Sequence, residues 1–129
     1  MRIAILSTFD VIGGAFKAAY RIHRGLIEKG VDSKMFVANK SIDDYTVLCE
    51  LKKVRRRIQI ILPFINKIPL LFYRNRKEEL FSPAWITSSS LGKMNEGNFH
   101  IAHLQWINNG FISIRALKNI KQPIIFRRM

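Results

Sequence analysis

Cysteine is almost missing from these 129 residues: Cys49 stands alone. One thiol makes no internal disulfide, and nothing in the chain suggests an oxidising compartment. An inert side chain is the default reading for Cys49, ahead of a nucleophile. Acidic residues are scarce too, nine against 22 Lys and Arg, for a net charge of +13. Such a field attracts polyanions, whether nucleic acid, anionic lipid headgroups or phosphorylated substrates, and composition does not choose among them. Long apolar runs are the third absence. Ile3 to Leu6 is followed at once by Ser7-Thr8-Phe9-Asp10, too short for a secretion signal even with Arg2 ahead of it. The stretch from Ile58 to Tyr73 is interrupted by Gln59, Pro63, Asn66, Lys67 and Pro69. A spanning helix needs about 20 mostly apolar residues, so the expected location is cytoplasmic. An apolar content of 48% excludes a disordered class. A chain of this length fits one domain and buries about two-thirds of its unfolded surface.

What is present reads as alternating strands and helices. Arg2 to Ser7 is predicted as a short buried strand, because its apolar residues run on without alternation. Thr8 to Gly14 is a loop, and a helix follows to about Lys29. Ala15, Ala19, Ile22 and Leu26 fall on one face of it, with Lys17, Arg21, Arg24 and Glu28 on the other. Gly30 sits where a left-handed helix terminus is expected. Ser33 to Ala38 is the second strand, completing a βαβ unit and predicting a parallel sheet. Thr46 to Leu80 has a helical pattern broken at Pro63 and Pro69. Phe81 to Ser90 reads as a loop and Leu91 to Asn95 as a short helix. Phe99 to Leu104 is a third strand, followed by the turn signal Asn108-Asn109-Gly110. Ile112 to Ile120 is helical with Ser113 near its cap, and Pro123 to Phe126 begins a fourth, buried strand. The loop after that strand should face a ligand site, since ligands of open α/β sheets sit beyond the carboxyl ends of the strands. The chain is therefore expected to be a piece of a longer protein.

Several residues could carry chemistry. Gly13 and Gly14, between the first strand and its helix, bring backbone N–H groups toward a ligand where negative charge is favoured. The competing reading is a tight turn with positive φ, and spacing alone leaves both open. Asp10 in the same loop either orients a ligand hydroxyl or caps a turn. His103, Gln105, Trp106, Asn108 and Asn109 cluster at a strand end. Polar groups beside an aromatic face suit a sugar, with hydroxyls on its edge and C–H bonds on its face. The alternative is a core Trp106 and a satisfied His103. His100 and His103, three apart on a strand, point to opposite faces, so no metal site is expected there. His23 reads as a satisfied surface or boundary histidine. Lys52, Lys53, Arg55, Arg56 and Arg57 precede a broken apolar stretch, a pattern that fits either an interfacial helix on an anionic membrane or a solvated basic face.

Four blocks carry a family resemblance: Gly13 to Leu26, Gly30 to Met35, Phe81 to Trp85 and His103 to Asn108. In order and spacing they resemble the N-terminal domain of bacterial family 4 glycosyltransferases of the GT-B fold, particularly those of exopolysaccharide (colanic-acid-type) synthesis. The resemblance covers nearly the whole chain. It implies a Rossmann-like α/β domain over residues 1–129 with a basic amphipathic insertion at about 50–80. It also implies a separate C-terminal donor-binding domain, which this sequence does not contain. The family transfers a sugar from a nucleotide-sugar to a saccharide or lipid-linked acceptor, without a bound metal or other cofactor. The acceptor-side site would then be lined by Gly13, Gly14, Asp10, His103, Gln105, Trp106, Asn108 and Asn109. The basic run at 52–57 would meet the inner face of the cytoplasmic membrane. Two departures stand out. Gln105 replaces a second histidine usual in relatives, keeping hydrogen bonding but losing titration. Arg127-Arg128-Met129 stand where relatives continue into a histidine-bearing loop, so this chain alone is expected to be inactive and no catalytic base is assigned.

Two other functions compete. One is a non-enzymatic basic module for anionic lipid or RNA. Nucleic acid is disfavoured because no RNP-like, KH or zinc pattern is present and the aromatics are not interleaved with the basic run. The other is an inactive truncated fragment.

Overall fold

Ile3, Ala4, Ile5 and Leu6 offer apolar side chains to both faces of a strand, and that places them at the centre of a sheet covered on both sides. The computed structural model describes residues 1–10, 13–49, 65, 68, 90–107 and 111–126. Among them β1 (Arg2–Phe9) is flanked by β2 (Asp32–Asn39) and β4 (Ile101–Leu104). β3 (Val47–Cys49) lies beyond β2, and β5 (Ile124–Phe126) beyond β4. The order is β3-β2-β1-β4-β5 and every pairing is parallel. The architecture is α/β, a Rossmann-like parallel sheet flanked by helices.

Register fixes which residues share a face. Ile5 stands beside Met35 and His103, and Leu6 beside Phe36 and Leu104. Helix α1 (Gly14–Glu28) covers the Ile3, Ile5, Met35, Val37 and Val47 face, with Ala19 buried against it. The opposite face, with Ala4, Leu6, Phe36, Ala102 and Leu104, packs under Leu91 and Met94 of α2 (Ser90–Glu96). Ala116 of α3 (Ile114–Leu117) joins the same cluster with Phe111 and Ile112. The exposed side of α1 carries Lys17, Arg21, Arg24 and Glu28, as its periodicity predicts.

The helix ends follow local chemistry. Gly30, at φ 76°, donates to Ile27 O while Val31 donates to Leu26 O, both at 2.9 Å. This paired closure of α1 needs a residue tolerant of positive φ. Ser113 caps α3, its Oγ accepting from the Ala116 amide at 3.2 Å.

Three expectations are corrected. Residues 47–49 form an edge strand rather than the start of a helix, because Met35, Phe36 and Val37 of β2 offer the backbone a parallel partner, the Met35 amide donating to Thr46 O. The strand at Pro123 is therefore the fifth. It is exposed rather than buried, since it lies at the edge of the sheet. His23 is satisfied, as expected, but lies at neither the surface nor a boundary. It is wholly buried between α1 and the β2–β3 connection, with Nδ1 2.8 Å from Ser33 Oγ and Nε2 2.8 Å from Thr46 Oγ1. The rest of the pattern assigned to 46–80, including the breaks at Pro63 and Pro69, lies outside the described residues apart from the helical Ile65 and Ile68.

Candidate functional site

Strand order reverses direction between β1 and β4: the chain steps outward from β1 to β2 and β3, then returns to β4 on β1's other side. In open parallel sheets the crevice at such a switch, beyond the carboxyl ends of the two strands, is where ligands bind. Here those ends are stitched together. The Trp106 carbonyl accepts from the Thr8 amide at 2.7 Å and from Thr8 Oγ1 at 2.8 Å, and the Gln105 amide donates to Leu6 O at 3.0 Å.

Gly13 opens α1 immediately above this crevice. Its φ of 88° belongs to glycine, and a Cβ there would sit 3.3 Å from Phe16 Cδ2. Its carbonyl accepts the first helical hydrogen bond, from the Lys17 amide. Gly14 differs: its backbone does not demand glycine, and a Cβ would meet nothing within 4 Å. The turn accounts for Gly13, whereas Gly14 leaves open space beside the helix start. The first turn has no acidic residue, and Gly13 has no side chain with which to cap it. The N-cap and first turn thus supply no side chain to compensate the positive end of the helix.

An aromatic row connects the parts. Phe16 lies edge-on to Phe9 with centroids 5.0 Å apart and edge-on to Trp106 at 6.3 Å. Trp106 is half-buried, its ring neither lost in the core nor fully in water. Beside it Gln105 Nε2 lies 2.9 Å from His103 Nε2. An amide nitrogen only donates, so the histidine nitrogen facing it accepts and is unprotonated in this pairing. Gln105 is buried and His103 half-buried. Ser7, on the same face as Ile5 and His103, is buried with its hydroxyl unpaired among the described residues.

Gly13, Gly14, His103, Gln105 and Trp106 therefore converge on one end of the sheet. Asp10 is close in sequence but turned to another task. It is wholly buried, and its carboxylate accepts from the Ser41 amide at 2.6 Å, the Ser41 hydroxyl and the Ile42 amide at 2.8 Å. It caps the turn after β2, the more ordinary of its two readings. Asn108, Asn109 and the basic residues Lys52, Lys53, Arg55, Arg56 and Arg57 lie outside the described residues. Phe9 and Phe16 belong to the site and were not singled out from sequence. Their signal was there in the aromatic on each side of the glycine loop.

No family model, curated protein or solved structure matches the chain. The site is therefore judged on its own geometry. It offers an uncapped helix start, an accessible aromatic edge, and an amide–imidazole pair. Together these can receive a hydroxylated or anionic small molecule. Among the described residues no three metal-ligating side chains cluster, and no helix is long and apolar enough to cross a membrane.

Proposed function

We propose that this chain is the acceptor-side domain of a nucleotide-sugar-dependent glycosyltransferase of cell-surface polysaccharide synthesis. The observation that carries the reading is the convergence, at the β1–β4 switch point, of the Gly13–Gly14 helix start with Trp106 and the His103–Gln105 pair. A sugar's C–H face would lie on the indole. Its hydroxyls would exchange hydrogen bonds with the glutamine amide and the imidazole. The helix start would favour a phosphate or diphosphate of a lipid-linked acceptor. A second domain would bring the nucleotide-sugar, and its leaving diphosphate would be stabilised by cations and helix termini. Asp10 is left out of this scheme because its oxygens are already occupied. The basic run at 52–57 would hold the domain against anionic headgroups of the inner membrane face.

The test is a nuclear magnetic resonance titration of the full chain with a short-chain lipid diphosphate saccharide. Amide shifts are expected at Gly13, Gly14, Gln105 and Trp106. Trp106→Ala should weaken binding about tenfold or more, equivalent to about 1.4 kcal/mol, while Trp106→Phe retains most of it. Saccharide that leaves these amides unmoved, while an RNA oligomer shifts them at moderate salt, would replace this reading with a basic binding module.

A further inference from the structure

Independently of the sugar-binding reading, the opposite edge of the sheet presents a surface with its own chemistry. Among the described residues β5 pairs only with β4, Ile124 beside Ala102, Ile125 beside His103 and Phe126 beside Leu104. All three side chains are apolar and exposed, at 43%, 50% and 62%. Ile124 and Phe126 fall on the face that α3 covers, and Ile114 of α3 is 70% exposed as well. Single apolar residues on a surface mean little, but four around one edge strand mark an interaction surface. The strand itself holds no charge to discourage pairing.

The backbone shows how a partner would engage. Pro123 O accepts from the Ala102 amide, so the carbonyls of residues 123 and 125 face β4. Alternation then turns the backbone groups of Ile124 and Phe126 outward. Charge says what the partner is. From Phe111 to Phe126 there are three cations, Arg115, Lys118 and Lys121, and no Asp or Glu. All three are exposed, and neither ion pair among the described residues, Arg2–Asp32 or Arg24–Asp44, uses them. A second copy would bring the same cations to the same edge on a chain of net charge +13, which opposes self-pairing.

We propose that the outer edge of β5, unpaired among the described residues, receives an extended segment of an acidic partner protein as a sixth strand. Apolar residues of that segment would cover Ile124, Ile125 and Phe126, and its carboxylates would meet Arg115, Lys118 and Lys121. Main-chain hydrogen bonds supply affinity in this mode and side chains supply selectivity.

The probe is a blocked peptide of three central valines flanked on each side by glutamates, with a lysine-flanked peptide as control. Binding to the full chain is read by fluorescence anisotropy and by hydrogen exchange at the amides of Ile124 and Phe126. The glutamate peptide is expected to bind at least about tenfold more tightly than the lysine peptide, with both amides protected. Ile124→Pro, which removes one outward amide, should abolish binding. Phe126→Glu, an exposed change that leaves the core alone, should reverse the preference between the two peptides. Equal binding of the peptides overturns the proposal, as does binding unaffected by Phe126→Glu. So does protection of the same amides without peptide, through self-association, or by vesicles of phosphatidylglycerol in place of peptide.

Discussion

β3 and β5 close the two edges of the sheet with three residues each, yet one is fastened and the other is bare. On the β3 side Val47 is 1% exposed, and polar groups tie its approach to the rest of the fold. Asp10 grips residues 41 and 42, while His23 reaches Ser33 and Thr46. Asp44 accepts from Tyr20 Oη at 3.0 Å and from the Thr46 amide at 2.8 Å. β5 is held by its pairing to β4, and its three side chains face water. A short apolar strand is thus not buried by its own composition. It is buried when connecting segments are anchored over it.

Deleting the strongest anchor should produce the largest effect. Asp10→Ala leaves two amides and a hydroxyl without their acceptor at a buried site. It is expected to destabilise the chain by about 3 kcal/mol in urea denaturation. Asp10→Asn should fall between, because its nitrogen cannot accept. If Asp10→Ala costs less than a typical surface change, the β3 edge is not fastened in this way and the contrast fails.

Equivalent truncations at the two edges sharpen the same point. Val47→Ala should cost about 2 kcal/mol, from lost burial and the space left behind. Phe126→Ala removes a larger side chain but should stay within about 0.5 kcal/mol, as exposed positions do. Similar losses at both sites would mean that β5 is packed after all. The same pair shows what could be read from sequence. Ile124-Ile125-Phe126 carries a buried-strand signature, yet exposure depends on what lies beside it, which composition does not encode. Val47-Leu48-Cys49 merges into a helical pattern because three residues are too few to show alternation. By contrast the βαβ unit was legible, since α1 runs for 15 residues with two clear faces and a glycine terminus. The site was partly legible: Gly13, Gly14, Gln105 and Trp106 converge with His103 of β4 because all lie in or just after the carboxyl ends of neighbouring strands. Asp10 was ambiguous because its partners lie 31 and 32 residues away.

Acid should loosen the β3 side through His23, in steps whose sign follows from the hydrogen bonds. Thr46 Oγ1 donates its one proton to Asp44 Oδ1 at 2.5 Å, so it must accept from His23 Nε2–H. The Ser33 hydroxyl is able to donate to Nδ1, and burial, which disfavours the charged ring, selects that neutral arrangement. Burial pushes the His23 pKa below its ordinary 6.5; Asp44 pulls upward, and Arg24 and Lys34 add to the lowering. The unfolded chain consequently binds a proton that the folded one refuses. Stability contributed by neutral His23 is full above about pH 6.5 and declines as pH falls below it, by at most about 1.4 kcal/mol per unit. A second loss follows at lower pH. Burial works to raise the Asp44 carboxyl, but hydrogen bonds from Thr46 and Tyr20 hold it down at about 2 against an ordinary 3.8. Its contribution persists above that ordinary value and disappears as pH falls through about 2. Urea denaturation of the wild type and His23→Gln between pH 7 and pH 5 isolates the first step, because glutamine hydrogen-bonds without titrating. The wild type should lose stability across that interval while His23→Gln stays flatter. Parallel profiles would mean that His23 is already charged in the folded state, and that the polar fastening of the β3 edge has the wrong proton inventory.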